Sequence, residues 1–136
     1  LRAAHDLHPE PVATDYLAAA SELSVRQRRR SLVVVLTNVR DEDSDELLAA
    51  VQLLKRRHLV CVASLREQVL EQMLDADGNN PRWALEAAAA ARYLDQRGQI
   101  HDALRSHGVD VLDVTAQALP AALVNHYLAI KRAGRL

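Results

Sequence analysis

The segment Ser31-Leu-Val-Val-Val-Leu-Thr-Asn-Val39 constrains this chain more than any other. It is a nearly unbroken β-branched run without alternation of polar and apolar residues. A half-exposed strand alternates. One that does not is apolar on both faces, as strands buried in a parallel sheet are. Leu59 to Leu65 has the same character, and Val109 to Val114 is a shorter third example. Three such segments demand cover on both sides of a sheet, and the intervening sequence has to supply it.

Helical periodicity fills the gaps. Thr14 or Asp15 can cap a first helix to about Gln27, with Tyr16, Ala20 and Leu23 on one face, and Arg28 to Arg30 follow it. Asp43 and Glu46 have capping-box spacing before a second helix faced by Leu47, Val51 and Leu54, which ends on Lys55, Arg56 and Arg57. That helix begins acidic and ends basic, as the backbone dipole favours. Val69, Leu70 and Met73 predict a short helix over 67–74. The polar run Asp75 to Asn80 reads as a loop, and Pro81 suits the first turn of the next helix. Trp83, Ala87, Ala90, Leu94, His101 and Leu104 trace a long small-residue stripe; Gly98 is a point for a kink and Gly108 a natural stop. Leu119 to Arg132, with Pro120 near its start and Leu123, Tyr127 and Ile130 on one face, predicts the last helix.

Strands alternating with helices mean parallel pairing through right-handed crossovers. The expected fold class is therefore α/β: a partial doubly wound, Rossmann-like parallel sheet of about three strands flanked by helices, over residues 14–136. Residues 1–13 are expected to be irregular. Three strands make a narrow sheet for segments so apolar, and the chain starts at Leu1 without methionine; the expectation is that further strands of the same sheet lie upstream.

Composition excludes more than it identifies. At 136 residues, 49% hydrophobic and 26% charged, the chain is one ordinary globular domain. The formal net charge of −1 supplies no global basic field, so neither nucleic acid nor an anionic membrane is expected as a partner. A single cysteine, Cys61, excludes an internal disulfide and fits a reducing compartment, which makes the cytoplasm the expected location. No apolar run approaches the roughly 20 residues that span a bilayer.

Four segments carry a resemblance. Arg30 to Asn38, Arg57 to Arg66, Gly108 to Val114 and Leu119 to Lys131 with Gly134-Arg-Leu, in this order, resemble the C-terminal part of the bacterial family called domain of unknown function fifty-eight. Its members contain a von Willebrand factor A-like domain and are often encoded beside MoxR-type AAA+ ATPases; many also carry N-terminal membrane segments. The resemblance covers about Tyr16 to Leu136. It implies that these are the last three strands of a von Willebrand A-like sheet, and that the chain serves as a protein-interaction component in assembling or activating other complexes. The family's Asp-x-Ser-x-Ser metal-adhesion signature is absent here. Where the family has Thr-Asp or Ser-Asp after the fourth strand, this chain has Thr37-Asn38, a degenerate position whose neutral carbonyl holds a hard cation less well than a carboxylate. No metal or other cofactor is expected.

The candidate binding residues follow from topology. Thr37, Asn38, Arg40 and Asp41 follow the first strand, and Ser64 and Arg66 end the second, at the strand ends where open parallel sheets bind ligands. The plainer account is that they are turn residues and helix caps. Arg28 to Arg30 lack interleaved aromatics and read as a solvated helix end. His5 and His8 have a ligand spacing but no cysteine partner, and His101 and His107 do not share a helical face. Ser64, Asp113 and His126 stand in the chain order of a hydrolase triad, yet Ser64 lacks the Gly-x-Ser-x-Gly elbow. Asp113 reads as a strand end, His126 as helix surface, and Cys61 as core.

The expectation is a non-catalytic protein-interaction module, with a small-molecule or nucleotide-binding regulatory domain as the alternative. Without a neighbour, the Ser31–Val39 strand is an apolar edge, and such edges pair with other chains. A homodimer through that edge is expected.

Overall fold

A computed structural model describes residues 15–39, 41–75, 78 and 81–136. His5, His8, Thr14, Arg40 and most of the 75–80 loop lie outside them, as do the side chains of Asp41 and Val69. The elements are α1 (Tyr16–Arg26), β1 (Leu32–Thr37), a 3-10 turn (Asp41–Asp43), α2 (Ser44–Lys55), β2 (Leu59–Leu65), α3 (Gln68–Asp75), α4 (Pro81–Ser106), β3 (Asp110–Val114) and α5 (Leu119–Arg132). The three strands form one all-parallel open sheet in the order β1-β2-β3, flanked by helices: the α/β, Rossmann-like arrangement that the apolar runs demand.

Register decides which side chains share a face. Val33 lies beside Val60, Val35 beside Val62, and Val62 beside Val111. These residues form the main core with Ala20 of α1, Leu47, Ala50, Val51 and Leu54 of α2, and Ile100 and Leu104 of α4. Crossovers of one hand put α2 and α4 on that side. Alternation turns Cys61, Ala63 and Asp110 to the other side, where α5 lies and where His126 meets Asp110. Val60 to Ser64 are fully buried because, among the described strands, β2 alone has neighbours in both directions and cover on both faces.

Several local expectations change. β1 is shorter than the apolar run; Ser31 instead ties the strand starts together, its N–H donating to His58 Nδ1 at 3.2 Å, and Val39 turns into the core. The capping box does not form. Asp43 enters α2 from the 3-10 turn with ψ of 1°, not extended, so its carboxylate makes no cap hydrogen bond. Glu46 instead accepts from the N–H of Leu17 at 3.5 Å, while Asp15 caps α1 by accepting from Ala18 at 2.9 Å. Gly98 neither breaks nor interrupts α4, which runs unbroken for 26 residues. Gly108 ends the turn after α4 at φ +77°, a conformation that glycine adopts without strain. Trp83 Nε1 donates to Met73 O at 3.2 Å and ties α3 back onto α4.

Candidate functional site

Thr37, Ser64 and Asp113 lie side by side in register at the C-terminal ends of the three strands, on the core face. One residue of α1 holds the first, and one residue of α4 holds the other two. Tyr16 of α1 shares a 2.5 Å hydrogen bond between its hydroxyl and that of Thr37. Arg97 of α4 reaches across β2 and β3: Nη2 donates to Ser64 O and Ser64 Oγ, both at 2.8 Å, and Nη1 donates to Asp113 Oδ1 at 2.5 Å.

The Arg97 side chain is 1% exposed, whereas that of Asp113 is 33% exposed. A guanidinium so deep is tolerated only when paired and hydrogen-bonded. Asp113 gathers further positive groups: Arg66 Nη1 lies 3.6 Å from Oδ1, and His101 Nδ1, one turn along α4 from Arg97, lies 3.9 Å from Oδ2. Burial holds the His101 pKa below its ordinary 6.5, and the Arg97 charge lowers it further against the pull of Asp113. The imidazole is therefore neutral at pH 7. Its Nε2, like Arg97 Nε, is buried without a hydrogen-bond partner among the described residues.

The expected binding residues are thus divided. Ser64 is buried, and its hydroxyl accepts from a guanidinium that cannot serve as a base. Arg66 is paired with Asp113, and Thr37 is bonded to Tyr16. Asn38 is exposed and lines a crevice of about 290 Å³ with Glu67, Leu70 and Tyr93, at the strand ends where ligands of parallel sheets bind. Asp41 begins the 3-10 turn beyond it.

The triad order does not become a triad. Ser64 and Asp113 are neighbours, but His126 lies on the opposite face of the sheet, with Nε2 3.1 Å from Asp110 Oδ2. Its side chain is half-buried between α5 and β3, paired with Asp110, rather than on the open helix surface. Burial, then the Asp110 charge, pushes the Cys61 thiol up to about 11, so it stays protonated. Among the described residues, no group of three or more His, Cys, Asp or Glu is placed to hold a metal ion.

Arg97 escaped the sequence reading because it breaks the apolar stripe of α4. The signal was its spacing: Arg97 lies between Ala90 and Leu104 at positions one turn from Tyr93 and His101, on the face that packs inward.

On the other side of the sheet, α5 covers β3 and leaves β1 partly bare. Val34 is 37% and Leu36 55% exposed, and a groove of about 280 Å³ runs between them and α5, lined by Leu32, Val34, Leu123, Val124, His126 and Tyr127. No described helix is long and apolar enough to cross a membrane. No protein-family model, curated protein or solved structure matches the chain.

Proposed function

We propose that this chain is a non-catalytic, cytoplasmic protein-interaction module that docks through the free edge of β1 and the apolar groove beside α5. The exposure of Val34 and Leu36 on an edge strand carries this reading. Backbone groups unpaired among the described residues, next to exposed β-branched and leucine side chains, form a template for another strand. A second copy satisfies both requirements: pairing β1 with β1 about a two-fold axis joins two narrow sheets into one and places the two grooves on the same side. The resemblance to the domain-of-unknown-function-fifty-eight family makes a MoxR-type AAA+ ATPase the candidate for a larger assembly, in which a von Willebrand A-like part would act in assembling or activating other complexes.

Light scattering and chemical cross-linking test the edge. The expected result is a dimer that Leu36→Lys converts to a monomer with unchanged circular dichroism. A wild-type monomer at high concentration that also ignores a MoxR-type ATPase would overturn the reading.

A second reading rests on the Asn38–Tyr93 crevice, which supports a regulatory domain that binds a small molecule or nucleotide. Thermal shifts with nucleotides, Mg²⁺ and Mn²⁺ separate the two. A ligand that binds only the folded state raises the melting temperature, and Tyr93→Ala should remove that rise.

A further inference from the structure

The other end of the sheet carries a different surface. In a parallel α/β layer the helices run opposite to the strands, so α1, α2, α4 and α5 all finish where β1, β2 and β3 begin. Three basic runs converge there: Arg28 to Arg30 before β1, Lys55 to Arg57 before β2, and Lys131, Arg132 and Arg135 at the end of α5. Arg30 Nη2 donates to Arg135 O at 3.2 Å, which joins the first run to the third. The Ser31–His58 bond and the Leu59 N–H to Ser31 O bond of 3.0 Å join the first to the second. Lys55 reaches the carbonyl of His107 beside Arg105. With Arg26 in the last turn of α1, eleven of the 17 basic side chains of the chain are gathered at this end.

Helix ends attract cations, so this concentration has an ordinary cause, and its size decides whether that cause suffices. Each helix C-terminus carries about half a negative charge, so four contribute about two. Among the described residues, the carboxylates at this end are Glu22, paired with Arg26, Asp102, paired with Arg105, and Asp110, paired with Arg135 and His126. About six positive charges of the eleven remain uncompensated on that half-charge scale. The side chains of Arg28, Arg29, Arg56, Arg57 and Arg132 are exposed and make no ion pair or hydrogen bond among the described residues.

We propose that this pole binds the phosphate backbone of double-stranded nucleic acid, without reading its sequence. Arginine predominates over lysine here, and the planar guanidinium matches a phosphate bidentately. Tyr127, the aromatic residue beside this end, lies under Lys131 with the ammonium 5.6 Å from its ring centre and is not a platform for unstacked bases. A protein partner would want an apolar centre, and the apolar groove lies elsewhere, between β1 and α5. A membrane surface would want Trp or Phe to insert beside the cations; the chain has no Phe, and its one Trp packs between α3 and α4. The net charge of −1 is no obstacle. Glu42, Asp43, Asp45, Glu46 and Glu67 stand at the opposite end, so the molecule is polar in its charge and turns its basic end toward a polyanion.

Fluorescence anisotropy with a short labelled DNA duplex of arbitrary sequence tests the proposal. Neutralising about six phosphates predicts binding that weakens roughly a thousandfold between about 50 and 200 mM salt. The variant carrying Arg28→Gln, Arg29→Gln, Arg56→Gln and Arg57→Gln should lower the salt slope by about 0.9 per arginine removed and keep the wild-type circular dichroism. Arg82→Gln and Arg92→Gln on α4 should leave binding unchanged. Absence of binding at low salt, or wild-type affinity in the fourfold variant, overturns it. So does tighter binding to phosphatidylserine vesicles or polyglutamate than to the duplex, which would reassign the pole to a membrane or an acidic protein.

Discussion

Arg97 joins α4 to the ends of β2 and β3 with a charge that has left water almost completely. Such a pair is fragile in an asymmetric way, because removing one partner strands the other. Asp113→Ala should destabilise the chain by about 3 kcal/mol by leaving the buried guanidinium uncompensated. Arg97→Met should cost less than half of that, because no charge is left buried and Asp113 keeps Arg66 and water. Urea denaturation midpoints measure the difference, and equal losses would refute this account. His101 gives the pH dependence. Its folded pKa is below the unfolded 6.5, so the unfolded chain binds more protons in the interval between them. Its contribution is therefore constant above about pH 6.5 and is lost as pH falls from there toward the depressed value. Denaturation at stepwise pH should show that loss, and His101→Gln should shrink it. Neither partner of this cluster was legible as such in the sequence. Ser64 and Asp113 are 49 positions apart, and only strand register makes them neighbours.

At the scale of elements the sequence was legible wherever periodicity was strong. β2 and α5 have the expected boundaries, since a continuous apolar run and a proline-started, glycine-ended amphipathic segment leave little choice. The ends of β1 and the capping contact of α2 were not, although Asp43 is its N-cap as expected, because a 3-10 turn and the core position of Val39 compete with local propensity there. Gly98 is the clearest case. Its cost to an isolated helix is real, but packing on both sides of it keeps α4 continuous. Beyond the backbone of its own turns of helix, nothing lies within 4 Å of where a Cβ would be added, so Gly98→Ala should stabilise the chain by about 1 kcal/mol. Gly108→Ala should do the opposite, since φ is +77° and the added atom meets Lys55 Nζ at 3.0 Å. Thermal melts of the two variants check both signs.

For the whole molecule, position in the sheet sets local stability. β2 is buried on both faces and paired on both sides; among the described residues β1 is paired on one side. Hydrogen exchange should find the slowest amides from Val60 to Ser64, with alternate amides of β1 exchanging quickly in a monomer. If β1 pairs with β1 of a second copy, all of its amides should slow with rising concentration, and a β1 pattern independent of concentration would count against the dimer. The sequence alone determined the α/β class, the parallel strands and most helices, because those follow from the spacing of apolar residues along the chain. Only the tertiary structure decided that Arg97 is buried, that His126 leaves Ser64 for Asp110, and that three separate basic runs form one pole. Charge and pairing depend on which distant segments meet, and a parallel sheet brings every helix end to the same side, where a net charge of −1 no longer describes the surface a partner would encounter.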